Sequence, residues 1–255
     1  MSVAMRMPGD RKAALYDELP IRAFLRNDDR RMLPVIPSAP YSRISMNIVL
    51  FGATGNIGKV ILQEALDRGH HVTAIVRDPS KLSVTSPLLK VAQGDLLNPS
   101  TYAAALTGAE AAIASVNDPN PDNVPKQAET LLAALSKAGV KRFAWVGGAG
   151  SLEVAPGVRV IDDPNFPAAW KPSAMGMVKA LEVFRASKAD IDWTFISPAA
   201  HIEPGERTGK YRVGGDQLLV DAEGNSRISQ ADYAIGLLDR LEKGDAARKR
   251  ITLAY

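Results

Sequence analysis

Three glycines at regular intervals are the first residues whose spacing suggests chemistry. Gly52, Gly55 and Gly58 lie in the segment Met46 to Gly58, MNIVLFGATGNIG, between an apolar run and a helical pattern. One such glycine permits a tight turn, another lets the backbone approach phosphates, and the third lets a helix pack closely on a strand. The first N–H groups of the helix are then free to bind an anion. We therefore predict that this turn binds the pyrophosphate of a dinucleotide.

The next extended pattern, HVTAIV, is followed by a charged pair that bears on which dinucleotide binds. Arg77 comes first and Asp78 second. An acidic residue at this strand end bonds the ribose 2′-hydroxyl of NAD, whereas a guanidinium matches a 2′-phosphate in charge and geometry. We therefore predict NADP(H) in preference to NAD(H). The alternative is a surface arginine paired with Asp78, which could itself serve the ribose.

The elements that must position these residues alternate between extended and helical patterns from Met46 onward. This alternation predicts an α/β fold: a doubly wound, mostly parallel sheet with crossover helices, that is, a Rossmann domain. A small C-terminal insertion, with a hairpin in GKYRVGGDQLLVDAEGNSR, is expected on the substrate side. The predicted strands are NIVLFGA, HVTAIVRD, LKVAQGDL, AEAAIASV, VKRFAWVGGAGS, IDWTFISPA and KRITLAY, and the main helices are KVILQEALDRG, KQAETLLAALSKAG, MVKALEVFRASKA and SQADYAIGLLDRLEKG.

Composition and charge restrict the classes of partner. The formal net charge of +3 comes from residues 1–45, so the rest of the chain is neutral and has no basic footprint for nucleic acid. No apolar run reaches the roughly 18 residues that a membrane helix needs. The sequence contains no cysteine, which fits a reducing compartment. We expect a cytoplasmic protein with a small-molecule substrate, and oligomeric state does not follow from the sequence.

The chain divides at Met46, directly before the first strand. Residues 1–45 are rich in arginine and proline, without an apolar segment typical of a secretory signal. Their five carboxylates argue against a mitochondrial transit peptide. We expect a disordered or accessory extension over residues 1–45 and one dinucleotide-binding domain over residues 46–255.

Several motifs together resemble a known family. The GATGNIG turn, the Gly94-Asp95-Leu96 strand end, VGGAGS and WTFISP resemble the atypical short-chain dehydrogenase/reductase family. The nearest branch is the NAD(P)H-binding proteins called NADH-flavin reductases, which are similar also to biliverdin reductase B and NmrA-like proteins. GERTGKYR and SRISQADYA belong to the same resemblance, which covers residues 46–255. These motifs are specific for the cofactor and much less so for the substrate.

The resemblance implies a role for each matching position. It places pyrophosphate contacts in the glycine turn, adenine contacts after the third strand and ribose contacts after the fourth. It places the nicotinamide beside the end of the fifth strand, with its carboxamide at the end of the sixth. The residues implied are Thr54, Asn56 and Ile57 at the pyrophosphate, Asp95 and Leu96 at the adenine, Ser115 and Asn117 at the ribose, Gly147, Gly148 and Ala149 beside the nicotinamide, and Pro198 and Ala199 at its carboxamide. Gly147 and Gly148 could instead be turn glycines, and Pro198 could simply end a strand.

The sequence departs from the family at the catalytic tyrosine. Many members of the wider family carry Tyr-x-x-x-Lys on a helix, whereas the matching spacing here is Met175 to Lys179. A methionine cannot donate a proton, so chemistry that depends on that tyrosine is not expected. The resemblance implies that Lys179 holds the nicotinamide ribose hydroxyls, and the alternative is a solvated helix lysine.

A few further side chains are candidates for substrate chemistry. His201, just after the sixth strand, is the best-placed titratable group, although it could equally bond a loop carbonyl. Arg207 and Tyr211 could contact an anionic or planar substrate, or be structural. Trp170 could cap the cleft or anchor its loop. His70 and His71 are expected on the surface, and no histidine–carboxylate spacing suggests a metal site.

These observations favour an NAD(P)H-dependent reductase that transfers hydride to a flavin, a quinone or a similar small conjugated molecule. Such a transfer needs no acid from the protein, because solvent can supply the proton. One alternative is a non-catalytic NADP(H) sensor, which Met175 and residues 1–45 would suit. A second alternative is an NAD(P)-dependent epimerase or isomerase, which the missing tyrosine disfavours.

Overall fold

A computed structural model describes residues 45–118 and 120–255, together with the backbone of a two-residue strand at Ile36–Pro37. The remainder of the predicted extension lies outside the described residues, so its expected disorder stays a prediction. The strand at Ile36–Pro37 pairs antiparallel with Tyr211 and Lys210 at one edge of the main sheet.

One nine-stranded sheet forms the centre of the domain. Numbered along the chain, its strands are β1 (Ile36–Pro37), β2 (Asn47–Phe51), β3 (His71–Val76), β4 (Leu89–Gln93), β5 (Ala111–Ala114), β6 (Arg142–Val146), β9 (Asp192–Pro198), β11 (Lys210–Gly214) and β13 (Lys249–Ala254). Four short strands lie outside it: β7 (Glu153–Ala155), β8 (Val158–Arg159), β10 (His201–Glu203) and β12 (Arg227–Ser229). The α-helices are α1 (Asn56–Asp67), α2 (Asn123–Lys137), α3 (Lys171–Ala186) and α4 (Gln230–Lys243).

The order of the strands defines where a ligand can bind. From one edge the order is β4-β3-β2-β5-β6-β9-β13, all parallel. Strand β11, antiparallel to β13, and then β1, antiparallel to β11, complete the sheet. Strand β2 pairs with both β3 and β5, so the direction of chain progression reverses there. In open α/β sheets ligands bind at the carboxyl ends of the strands beside such a switch point. The arrangement confirms the predicted doubly wound, mostly parallel fold.

Helices cover both faces of the sheet, and each strand alternates between the two cores. Ile48 and Leu50 of β2 pack under α1 and α4, whereas Val49 and Phe51 pack under α2 and α3. Because both faces are buried, the strands are apolar almost throughout rather than alternating with polar residues. On the α2–α3 side, the Phe184 ring centroid lies 5.4 to 5.7 Å from those of four other aromatic rings: Phe143, Trp145, Trp193 and Phe195.

The C-terminal insertion differs in one respect from the prediction. No hairpin forms within residues 209–227: β11 pairs antiparallel with β13, and β12 pairs parallel with β10. The predicted hairpin is therefore wrong, because the two strands find partners distant in sequence and the segment between them folds against Glu153. The β7–β8 pair and this segment bury a small apolar cluster: Leu152, Val160, Ala200 and Leu218.

Candidate functional site

The glycine turn leaves no space for side chains at two of its positions. Gly52 has φ of 82°, and a Cβ built there would lie 2.0 Å from the carbonyl oxygen of Ser115. A Cβ at Gly58 would lie 2.0 Å from the carbonyl oxygen of Gly52. The Gly55 N–H closes the turn by donating to Gly52 O at 3.0 Å. The turn therefore packs directly against the end of β5, at the switch point.

Helix α1 begins without a cap of its own. It follows Gly55, no side chain of the described residues caps it, and its first turn contains no acidic residue. The first intrahelical bond is donated by Lys59 N–H to Gly55 O, so the amides of residues 56–58 have no acceptor within the helix. Thr54, Gly55 and Asn56 are exposed and Ile57 is half-buried. These amides and the positive end of the helix dipole form an anion site suited to a pyrophosphate.

Arg77 lies exposed directly after β3, on the same edge of the sheet. Its guanidinium makes no hydrogen bond or ion pair to residues 45–118 or 120–255. Asp78 has other partners: its Oδ1 accepts hydrogen bonds from Ser80 Oγ at 2.6 Å and Ser80 N at 3.1 Å, and its Oδ2 lies 3.8 Å from Lys81 Nζ. Those bonds hold the pKa of the Asp78 carboxyl below its ordinary value. The alternative in which Asp78 neutralises Arg77 thus has no support in the geometry.

The residues expected at the adenine and ribose lie at the carboxyl ends of β4 and β5. Asp95 is exposed and its Oδ1 accepts from Leu97 N at 3.1 Å, while Leu96 is half-buried. Ser115 N–H donates to Phe51 O at 2.9 Å, which places Ser115 beside the glycine turn. Asn117 is exposed two residues later. The structure thus brings these four residues to the edge that carries the turn, and their ligand contacts stay predictions.

The residues expected at the nicotinamide lie farther along the same edge. A Cβ on Gly147 would lie 2.2 Å from the Phe195 ring, and one on Gly148 would lie 3.3 Å from Met177 Cβ. Gly147 is therefore required by packing whether or not a ligand binds. Ala149 begins a short 3-10 turn. Pro198 ends β9 and Ala199 follows it, both buried.

The face of helix α3 that lies toward the site is not the face that carries Met175 and Lys179. Met177 lies against Gly148, Ala174 against Gly150, and Ser173 Oγ donates to Asn117 Oδ1 at 3.1 Å. Lys179 is instead exposed, and its Nζ lies 3.0 Å from Asp122 Oδ1 in the groove between α2 and α3. The geometry therefore favours the alternative of a solvated Lys179.

Sequence reasoning missed Ser173. The signal was available in helical periodicity, because Ser173, Met177, Ala180 and Phe184 recur at the spacing of one helix face, half-buried at Ser173 and Met177 and buried at Ala180 and Phe184. Lys179 and Met175 occupy another face of the same helix.

His201 and Trp170 are near the carboxyl edge. His201 is half-buried at the start of β10, three residues after β9 ends. Its backbone N–H donates to Ser226 O at 2.9 Å. Trp170 is half-buried immediately before α3. Both positions are compatible with the predicted roles, which stay predictions.

Arg207 and Tyr211 are engaged in structural contacts. The Arg207 guanidinium binds Glu64 with two bonds of 2.9 Å, donated by Nε and Nη2. Tyr211 is 1% exposed, and its hydroxyl donates to Asp239 Oδ2 at 2.5 Å. Burial and this hydrogen bond raise the pKa of the Tyr211 hydroxyl. The geometry favours the structural alternative for both residues.

The prediction that His70 lies on the surface is wrong. Its side chain is fully buried, Nε2 lies 2.9 Å from Glu242 Oε1, and Nδ1 accepts from Met46 N at 3.2 Å. The cause is the packing of α4 beside α1, which covers the start of β3. Glu242 also accepts from Arg68, whose guanidinium binds Glu64 and Asp239. His71, the next residue, is exposed as expected.

Two other classes of site are not found in the part of the chain that is described. Within residues 45–118 and 120–255, no three histidine or acidic side chains come close enough to hold a metal ion. No helix in these ranges has the length and apolar character needed to cross a bilayer.

Comparison with known proteins adds to this geometry. The NAD(P)H-binding family model matches residues 52–242. A Burkholderia pseudomallei protein provisionally named an exported protein is 43% identical over 82% of this chain and all of its own, with a TM-score of 0.75. A Bacteroides thetaiotaomicron protein provisionally named an epimerase is 41% identical over 83% of this chain and 98% of its own, with a TM-score of 0.78.

A Streptococcus pneumoniae protein provisionally named an NADH-flavin reductase is 38% identical over 82% of this chain and 99% of its own, with a TM-score of 0.73. The family-model match contains the glycine turn, strands β3 to β12, helices α1 to α3 and nearly all of α4. The match to the family model begins at Gly52, the first glycine of the turn that leads into the uncapped start of α1. The chain therefore belongs to the NAD(P)H-binding family, with a Rossmann fold that binds a nicotinamide dinucleotide.

Proposed function

We propose that this protein is an NADP(H)-dependent reductase that reduces a flavin, a quinone or a similar small conjugated molecule. The observation that carries the proposal is the uncapped start of α1 at the switch point, with Arg77 on the same edge and its guanidinium without a side-chain partner among residues 45–118 and 120–255. The name of the S. pneumoniae relative supports the flavin as acceptor.

The face that α3 turns toward the site supports a reaction without a protein acid. Ala174 and Met177, which line that face, are small or apolar, and the Ser173 hydroxyl beside them donates to Asn117 Oδ1. When bound, the reduced nicotinamide supplies a hydride. A conjugated acceptor then needs one proton, which solvent provides. The residues of this chain therefore contribute by holding two flat rings close together and by excluding water from between them.

Hydride transfer is tested by mixing the protein with NADPH and FMN, or with a panel of quinones. We expect protein-dependent loss of the absorbance band of the reduced nicotinamide. If NADPH binds measurably but no flavin or quinone is reduced, the reductase proposal fails and the non-catalytic NADP(H) sensor becomes the better interpretation.

The preference for NADP(H) depends on Arg77. Replacing it with alanine removes a charge-assisted contact to the 2′-phosphate, so we expect Arg77→Ala to raise the Kd of NADPH roughly tenfold or more. The Kd of NADH, which lacks that phosphate, should stay nearly unchanged. Lys137→Ala is a matched control, because Lys137 is an exposed cation at the far end of α2. Equal weakening of both cofactors would contradict the preference.

We also infer a small-molecule partner and a cytoplasmic location. The location is supported by a sequence without cysteine, which fits a reducing compartment. The B. pseudomallei relative is provisionally named as exported, so the location needs its own measurement. Fractionation of cells that produce the protein should recover it in the cytoplasmic fraction, and recovery outside the cell would refute this.

A further inference from the structure

The starting observation is a hydrogen bond that joins α3 to the loop after β5. Ser173 Oγ donates to Asn117 Oδ1 at 3.1 Å, across 56 positions of sequence. Ser173 lies in the first turn of α3, and Asn117 follows Ser115, whose carbonyl packs against Gly52. The bond therefore connects the substrate side of the crevice with the side that carries the glycine turn.

The orientation of α3 places the Ser173 hydroxyl over the carboxyl edge of the sheet. Met177, four residues later, lies against Gly148, and Ala174 lies against Gly150. Residues four apart in a helix share a face, so Ser173 points toward the same edge as Met177. Among Ser173, Ala174 and Met177, which make these contacts, Ser173 alone has a hydroxyl that can donate a hydrogen bond.

The bond also determines how the Asn117 amide is presented. Because Oδ1 accepts from Ser173, the Nδ2 group is directed elsewhere with both of its N–H bonds. Asn117 is exposed, and Nδ2 has no acceptor among residues 45–118 and 120–255. Two donors are thus held in fixed orientation at the crevice, available to an oxygen of a ligand.

We propose that Ser173 is a positioning residue, which holds the Asn117 amide so that its N–H groups donate to a hydroxyl oxygen of the nicotinamide-side ribose. The proposal rests on the proposed function, since it assumes the dinucleotide in that crevice. The resemblance already implies a ribose contact for Asn117. What is new is the positioning role of Ser173, and with it the nicotinamide-side ribose for Asn117 in place of Lys179. Lys179 is instead paired with Asp122.

The first experiment measures two ligands on Ser173→Ala. NADPH contains the nicotinamide-side ribose, whereas adenosine 2′,5′-bisphosphate contains only the adenine-side half. We expect the Kd of NADPH to rise roughly three- to tenfold, the range of one lost hydrogen bond, while the Kd of the bisphosphate stays unchanged. Ser173→Thr keeps the hydroxyl and should restore NADPH binding. Equal weakening of both ligands would show a general structural role and overturn the proposal.

A double-mutant cycle gives the second test. If Ser173 acts through Asn117, then Ser173→Ala should have no further effect on the Kd of NADPH in an Asn117→Ala background. Additive effects would refute the coupling. Failure of this inference is separable from failure of the proposed function. A wild-type protein that does not bind NADPH refutes both, whereas normal NADPH binding by Ser173→Ala refutes the positioning role alone.

Discussion

Helices α1 and α4 pack side by side on one face of the sheet and begin in opposite ways. Helix α1 starts after Gly55 with no side-chain cap and no carboxylate in its first turn. Helix α4 starts after Ser229, whose Oγ accepts from Asp232 N at 3.0 Å. Asp232 is itself fully buried in the first turn of α4.

The two helix starts have different roles. Asp232 accepts hydrogen bonds from Thr208 Oγ1, Gly209 N and the Tyr255 hydroxyl at 2.6 to 2.7 Å, so it ties the insertion to the start of α4. The Ser229 cap is of a kind that typically adds about 1 kcal/mol to the free energy of unfolding. Helix α1 forgoes that stabilisation, and its donors stay available to a ligand. Disruption at α1 should therefore affect binding most, and disruption at α4 should affect stability most.

The largest expected effect is on binding, from Gly58→Ala. The new Cβ would lie 2.0 Å from Gly52 O, so the turn must move and the amides lose their alignment. We expect the Kd of NADPH, measured by fluorescence titration, to rise on the order of 100-fold or more. Gly215→Ala is the matched control, because a Cβ there meets nothing within 4 Å. Near-normal binding by Gly58→Ala would show that the turn is not where the pyrophosphate binds.

The next effect is on stability, from Asp232→Ala. This change leaves the hydroxyl and amide partners of the carboxylate without an acceptor, so we expect a loss of about 3 kcal/mol in the free energy of unfolding. Urea denaturation measures it, with Asp190→Ala as control because the Asp190 side chain is 93% exposed. The folded fraction should bind NADPH normally. A large loss of NADPH affinity without loss of stability would contradict the comparison, because the start of α4 would then serve binding rather than stability.

The smallest expected effect is a loss of stability at low pH. Burial alone would raise the pKa of Glu64 and Glu242, but hydrogen bonds from Arg207, Arg68 and His70 outweigh it and hold both values below the ordinary 4.5. A depressed folded-state pKa contributes stability that is complete above the unfolded value and is lost as the pH falls through the folded value. The free energy of unfolding should therefore decline as the pH falls below about 4.5.

Glu64→Gln provides the test of that assignment, since it removes one of the two titrating groups. Its free energy of unfolding should be lower at neutral pH and should change less between pH 5 and pH 3. Glu129→Gln, on the exposed face of α2, is the control and should follow the wild type. An unchanged pH dependence in Glu64→Gln would assign the acid sensitivity elsewhere.

The features that the sequence predicted well are those with a local pattern. The glycine spacing and the alternation of apolar strands and helices are read within short windows, and they gave the fold and the turn. The environment of His70 was not readable in this way, because Glu242 lies 172 positions away. The orientation of Lys179 also required knowing which face of α3 packs on Gly148. The hairpin prediction failed because β11 and β12 pair with distant strands.

The position of β13 has a consequence for how the chain folds during synthesis. This strand is formed by residues 249–254, yet it lies inside the sheet, hydrogen-bonded to β9 on one side and β11 on the other. Until the ribosome has released those residues, β9 has an open edge that can pair with another nascent chain. The dinucleotide half of the sheet, β2 to β6, can assemble well before that moment. Protection of the β9 edge therefore waits for residues 249–254, and until then this edge is exposed to aggregation.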